Sequence, residues 1–553
     1  MKNIMKKLVL AALAPVMLSG CIEETFPEGG TVTADQVGQS SGALQAMVNS
    51  IPTAMILYAQ NYAQAWDFAY PAMAVSLAHM SGDILIGGDD GYNWFGFWDQ
   101  NLSLSEEYVL GYQFWYNYYA WIKTCNDVIS SVTATPEEQR TEEQNAYLGI
   151  ALTFRAHFYL DLVRLFEPKP TTDPDIKNYV ISDDIKGLSC VIVTEKTTPE
   201  IAKANPRAKV EDVYNTVIFP DLALAEKCLE GYERPNMTMP DISVVYGLTA
   251  RAYLERGTAG DAGAYAKAAE YARKAINCGY QPLTQEQWED PINGFNNAES
   301  QNSWLWCTTQ TSDQVHNLYS FIAHMSIEEN WTNYGKSTGR SIPADLYESI
   351  ADDDFRKHSW LDPQFFNYYQ YKSCRPDAKT FFLEKYNGTS RTKEYGAIKF
   401  RPAQGDYTTY SVGNAIDFPT MRIEEMYLIE AEATAADNFA QGKALLESFM
   451  KTYRQPSYIC AALDFAALQQ EIGTQARIEF WGEHASFFYK KRLAMGVHKD
   501  VKNCFVNEAR FDVDGIAPWW NLCIPITERQ SNPAIAKEMN NPDPNETVDP
   551  IVK

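Results

Sequence analysis

The sequence has no CxxC pair, no HExxH, no GxGxxG and no Walker loop. The first two absences leave no zinc-ribbon, thioredoxin-like or zinc-hydrolase signature. The last two leave no familiar cradle for a dinucleotide or a nucleoside triphosphate. Positive charge is also scarce. Against 71 Asp+Glu stand 47 Lys+Arg, a formal net charge of −24 over 553 residues. A general nucleic-acid binder needs a basic stripe to neutralise phosphates, and that class is excluded. Attachment to anionic lipid through charge is excluded for the same reason. With 31 Gly and 27 Pro the chain is not fibrous or of low complexity, and 45% hydrophobic residues is too many for a disordered one. Beyond residue 20 no apolar run approaches about 18 residues, so no membrane-spanning helix is expected there.

The chain begins with Lys2, Lys6 and Lys7, then an apolar stretch from Leu8 to Leu18, then Ser19, Gly20 and Cys21. A basic segment, a short apolar segment and small residues read as a secretory signal over 1–20. Its removal takes three lysines and moves the net charge from −24 to −27. Leu-Ser-Gly-Cys resembles a bacterial lipobox, which implies lipidation at Cys21 and a linker over 21–40. Glu23 and Glu24 resemble a surface-export signal after a lipidated cysteine, or are an ordinary acidic linker. Nine further cysteines are scattered and odd in number, and read as small buried apolar residues.

Helical periodicity dominates three regions. Tyr108 to Val132 places Phe114, Tyr118, Trp121, Ile122, Cys125 and Ile129 on one face. Thr135-Pro136-Glu137-Glu138 looks like a helix start, so Gln139 to Phe166 is expected to be one helix, ended by Pro168 and Pro170. Val210 to Leu229 is a further helix that Pro220 should kink or break. Ile242–Arg256 and Ala264–Asn277 form the most informative pair. Their small residues Gly247, Ala250, Ala268 and Ala272 allow two antiparallel helices to approach closely, in the manner of a tetratricopeptide hairpin. Met421–Ala436 with Ala440–Tyr453 repeats the pattern, and Leu463–Leu493 is another long helical stretch. No strict 34-residue period exists. The expected fold is all-α, a tetratricopeptide-like scaffold over mainly 41–166, 208–278 and 421–495. A loop-rich lobe over mainly 84–104, 279–420 and 503–553 completes a single domain over 41–553. Loops of this length are usually functional.

Gly335-Lys336-Ser337-Thr338-Gly339 matches G-x-S-x-G, but no strand precedes it and no helix pattern follows, so a catalytic Ser337 is not expected. The runs Asp352–Asp354 and Asp89–Asp90 read as solvated turns or caps and fit no EF-hand loop. No cofactor is expected, with calcium as the minor alternative. The aromatic loops are more distinctive. Gly87 to Asn101 carries Tyr92, Trp94, Phe95, Phe97 and Trp98 among Gly, Asp and Asn, and Asn330 to Tyr334 reads NWTNY. Flat rings flanked by amides suit sugars, which have apolar C–H faces and a rim of hydroxyls. The alternative is that the rings pack their loops onto the scaffold. Trp304 and Trp306 alternate with Leu305 in an expected strand, which places one of the two in the core.

Ordered motifs over about 500 residues resemble the SusD/RagB family of Bacteroidetes outer-membrane nutrient-binding lipoproteins. They are Cys21; Trp121-Ile122 with Cys125-Asn126-Asp127; Phe154-Arg155-Ala156-His157; Pro206-Arg207 and Asp221-Leu222; the hairpin 242–278; Asp354-Phe355-Arg356; Glu424-Glu425-Met426; Arg477 with Glu479-Phe480-Trp481-Gly482-Glu483; and Ile524-Pro525, Asn532-Pro533 and Asn541-Pro542. His484-Ala485 and Thr153-Phe154 depart from the pattern, both on the scaffold. The resemblance implies a lipid-anchored protein at the cell exterior that binds glycans non-covalently and is not an enzyme. It implies a SusC-like TonB-dependent transporter as partner. Trp94, Trp98, Asn101, Trp331 and Tyr334 are the expected sugar platform. A peptide- or glycopeptide-binding role is the alternative within the family, and glycoside hydrolysis a more distant one. The acidic charge favours a neutral glycan over an anionic one.

Overall fold

Hydrophobic period, caps and breakers divide the chain into helices whose bounds follow local chemistry. The computed structural model describes residues 40–87, 90–332, 334–363, 373–376, 394–499 and 502–551. The expected signal, Cys21, the linker as far as residue 39, Gly88, Asp89 and Asn333 lie outside these residues. Helices α1 (Ser41–Ala54) and α2 (Ala69–Ser81) come first. The short α3 (Gly96–Asp99), α4 (Val109–Thr133) and α5 (Glu142–Phe166) follow. Then come α6 (Phe219–Cys228), α7 (Ile242–Thr258) and α8 (Ala264–Ile276). The short α9 (Phe321–Met325) and α10 (Tyr334–Thr338) lie in the loop-rich lobe. Helices α11 (Ile423–Ala435), α12 (Phe439–Tyr453), α13 (Phe465–Glu479) and α14 (His484–Arg492) return to the scaffold.

The helices pack as successive antiparallel hairpins. α4 packs on α5, α5 on α6, α7 on α8, α8 on α11 and α11 on α12, while α14 packs on α13 and α2. This is the all-α, tetratricopeptide-like architecture. Two glycines set the closest approaches. A Cβ on Gly257 would lie 2.8 Å from the Tyr265 ring, and one on Gly442 would lie 2.4 Å from the Ala435 Cβ. Larger side chains there would push each hairpin apart.

Three boundaries differ from the sequence expectation. α5 starts at Glu142, because Thr141 and Gln144 form a reciprocal capping box, while Glu137–Gln139 makes a separate 3₁₀ turn. Pro220 does not break its helix. The chain widens to a π turn over Tyr214–Ile218, and Pro220 then occupies the first turn of α6, where its missing N–H costs nothing. The stretch from Leu463 to Leu493 is two helices, broken where Gly482 takes φ 77°.

Three small antiparallel sheets tie the lobe down. β1 (Leu85–Ile86) pairs with β3 (Arg340–Ser341), β2 (Trp304–Thr309) with β4 (Asp417–Arg422), and β5 (Val497–His498) with β6 (Asp512–Val513). Trp304 and Trp306 are both fully buried, contrary to the alternation argument. The register shifts between them, and both faces of the pair are covered. Trp306 packs 5.0 Å from Phe154 and donates its indole N–H to the Thr238 carbonyl at 2.9 Å.

Several charged residues of the ordered motifs form buried pairs. Arg155 holds Asp221 through two bonds of 2.7 and 2.8 Å, and also Glu195 at 2.6 Å. Glu479 accepts from Arg356 at 3.1 Å, Arg422 at 3.0 Å and Arg454 at 2.7 Å. Burial raises the Glu479 carboxyl, but the three guanidinium groups outweigh it and hold the group well below the usual range. Asp354 is a buried cap paired with Arg356 at 2.6 Å, while Asp352 is exposed. Losing one member of such a set leaves a buried charge uncompensated, so each network fixes the position of the elements it joins.

Candidate functional site

The loop between β1 and α4 turns its aromatic residues in two directions. Phe95 and Trp98 point inward and are fully buried. Trp98 meets Trp66 edge-on at 5.4 Å and Phe95 at 5.5 Å. The structure therefore corrects the expectation for Trp98. It anchors the loop and has no face left for a ligand. Beneath it, Lys499 donates to the Asp99 carboxylate at 3.0 Å and to its carbonyl at 2.7 Å. Burial raises the Asp99 carboxyl, but Lys499 and His79 draw it down to about 2. Burial pushes His79 itself down to about 4 and the nearby His324 down to about 3, so both rings are neutral packing groups.

Trp94, Phe97 and Tyr108 point outward, with relative exposures of 39%, 50% and 47%. They line a groove of about 510 Å³ together with the amides of Gln64, Asn93 and Gln100. No charged side chain lines it. Tyr334, buried at the start of α10, underlies the rim. Its ring lies 6.0 Å from Trp94 and 6.2 Å from Tyr92, and stacks on His324 at 4.8 Å. Trp94 and Tyr334 are thus brought together, but Tyr334 is buried and does not line the groove, which corrects the expectation that its ring meets the sugar.

Asn101 and Trp331 are placed elsewhere. Asn101 is buried in the left-handed region at φ 53°, and both atoms of its amide lack a hydrogen-bond partner. It helps to line a separate cavity of about 220 Å³ that includes Phe511 and Trp519. The expectation that it joins Trp94 in one platform is therefore corrected. Trp331 is half-buried against the helix Tyr410–Gly413. A Cβ on Gly413 would lie 2.5 Å from its ring. The Glu329 carboxylate holds its loop, accepting from the N–H groups of Trp331 at 2.8 Å and Thr332 at 2.7 Å, and from the Thr332 hydroxyl at 2.9 Å. Burial outweighs these bonds and pushes Glu329 up to about 7.

Phe97, Tyr108, Gln64 and Gln100 line the groove but are not among the residues expected from the sequence. Tyr108 reads as a helix start, and amides carry no pattern. Ser337 is buried inside α10, with none of the strand-turn-helix context a nucleophile needs. Among the described residues no group of three or more His, Cys, Asp or Glu could hold a metal ion. The nine cysteines are free thiols; Cys278 is exposed and Cys228 and Cys374 are half-buried, unlike the six others. No helix among the described residues is long and apolar enough to cross a membrane.

A sequence profile of the SusD-like family described as starch-binding and associating with the outer membrane matches residues 79–254. That segment runs from the end of α2, through the Trp94 loop and α4–α6, into α7. Over that segment the chain is similar to the SusD-like family. Solved SusD-like structures share its fold over nearly their whole length. A SusD-like carbohydrate-binding protein from Bacteroides vulgatus is 19% identical with a TM-score of 0.67, covering 90% of this chain and 98% of its own. A SusD superfamily protein from Bacteroides thetaiotaomicron is 17% identical with a TM-score of 0.65, covering 91% and 100%. Surface glycan-binding protein A from Bacteroides thetaiotaomicron, solved in complex with laminarihexaose, is 15% identical with a TM-score of 0.64, covering 90% and 99%. No curated protein matches the sequence.

Proposed function

We propose that this SusD-like chain is a surface glycan-binding lipoprotein that captures a neutral oligo- or polysaccharide at the Trp94 groove. The observation that carries this reading is the lining of the groove: three outward rings, three amides and no charge. Rings cover the C–H faces of sugars and amides answer hydroxyls as both donors and acceptors. Trp94 is backed by the buried Tyr334 ring at 6.0 Å, so little ordering entropy is lost when that ring meets a ligand. Surface glycan-binding protein A, which shares the fold, is known in complex with laminarihexaose, which supports a glycan as ligand class. An anionic sugar would meet a chain of net charge −27 once residues 1–20 are removed, and no cation in the groove.

The ligand is held and released without bond cleavage. The lipobox-like Leu18-Ser19-Gly20-Cys21 supports a lipid anchor in the outer membrane, with Glu23 and Glu24 supporting an exterior position. Capture there serves import through a SusC-like TonB-dependent transporter. A soluble chain starting at residue 22, applied to an array of neutral and acidic oligosaccharides that includes laminarihexaose, tests the reading. Binding confined to neutral glycans and lost in Trp94→Ala supports it. An array without signal, or release of reducing sugar from the bound glycan, contradicts it. Recovery of a TonB-dependent transporter with the anchored chain, lost in Cys21→Ala, tests the partnership.

A further inference from the structure

Exposed rings continue beyond the Tyr108 end of the groove. Tyr108 immediately precedes α4, and Tyr112 and Tyr116 follow on the helix, one turn apart on one face. Tyr108 and Tyr116 are 47% and 44% exposed, and Tyr112 is partly exposed between them. Tyr62, 53% exposed, closes one side, with its ring edge-on to Tyr112 at 6.2 Å. A monomer surface rarely leaves four large rings side by side without a use for them.

The rings are also held in place. Tyr112 and Tyr116 stack on each other at 5.3 Å and 18°. Asp67 fixes the loop that carries Tyr62, accepting from the N–H groups of Asn61 at 2.7 Å and Tyr62 at 3.0 Å. The Asn61 amide then bonds Asn117 on α4 at 3.2 Å. Ala59 and Ala63, on either side of Tyr62, adopt φ 57° and 50°, which alanine reaches only under strain. Strain of this kind persists where surrounding contacts enforce it, commonly at ligand sites. Gln64, two residues after Tyr62, lines the groove, so the loop joins the two surfaces.

We infer that Tyr62, Tyr108, Tyr112 and Tyr116 extend the Trp94 groove into a track for a long glycan chain. From Tyr108 to Tyr116 the track adds about 12 Å of length. The ligand class is then an extended, neutral polysaccharide. A short oligosaccharide fills the groove alone. A protein partner of the same surface would need no continuity with an amide-lined groove. The inference rests on the glycan-binding reading of that groove.

The test uses the soluble chain from residue 22 and homo-oligosaccharides of glucose, mannose, xylose and galactose, each from tetrasaccharide to decasaccharide. The track predicts affinity that rises with length beyond the tetrasaccharide. Tyr112→Ala with Tyr116→Ala should lower decasaccharide affinity roughly tenfold, to the tetrasaccharide level, and leave the tetrasaccharide unchanged. Trp94→Ala should weaken both. Both tyrosines are at the surface, and an unchanged melting temperature verifies folding of the double variant. Length-independent affinity, or a double variant equal to the parent on the decasaccharide, overturns the track and leaves the groove standing. No binding to any member of the series overturns both.

Discussion

Glu329 ties the Trp331 loop to the protonation state of one buried carboxyl. Its environment is apolar enough to push it up to about 7, although three hydrogen bonds oppose the shift. In the unfolded chain a glutamate titrates near about 4.3. Between these values the folded protein binds a proton that the unfolded chain does not, so stability falls as pH rises from about 4.5 to about 7 and is flat above. The gap is worth on the order of 3 kcal/mol at pH 8. Glu329→Gln keeps an acceptor for the Trp331 and Thr332 N–H groups and removes the charge. It should therefore raise the melting temperature at pH 8 and leave it unchanged near pH 5, as read by thermal denaturation across that range. A glutamine variant that is less stable than the parent at pH 8 would refute the reasoning. It would mean that the three bonds to the ionised carboxylate outweigh its desolvation.

Trp98→Ala empties a fully buried site and should cost about 3–5 kcal/mol in denaturant unfolding, whereas Trp94→Ala should leave stability nearly unchanged. Asp221→Ala removes two charged bonds and leaves Arg155 to Glu195 and the Asn126 amide, and should cost about 1.5–3 kcal/mol or more. Gly442→Leu forces α12 away from Ala435 on α11 and should cost about 1–3 kcal/mol or more, measured by the same unfolding assay.

The helical scaffold was legible because its signals are local. Periodicity over Val109–Thr133 and Ile242–Thr258 gives the helices within a residue or two. The errors occurred where two local signals compete. Thr135-Pro136 and Thr141 both look like helix starts, and the reciprocal bond with Gln144 decides for Thr141. The site was only partly legible. Trp94 and Trp98 stand four apart in one Gly- and Asp-rich loop, and nothing in that spacing says which ring turns to solvent. Trp66 decides it by offering Trp98 a partner 5.4 Å away. Asn101 and Trp331 failed for the same reason, since their surroundings come from residues far along the chain. Tyr108, Tyr112 and Tyr116 did carry a sequence signal, a four-residue step. That step also suits a buried helix stripe, and only the exposure separates the two.

The most direct measurement is calorimetric titration of the soluble chain and its Trp94→Ala variant with the neutral glycan that gives the strongest array signal and with a uronic acid polymer. The account predicts binding to the neutral glycan, a loss of about tenfold or more in the variant, and no heat from the uronic acid polymer. Equal affinity of parent and variant, or preference for the acidic polymer, would contradict it.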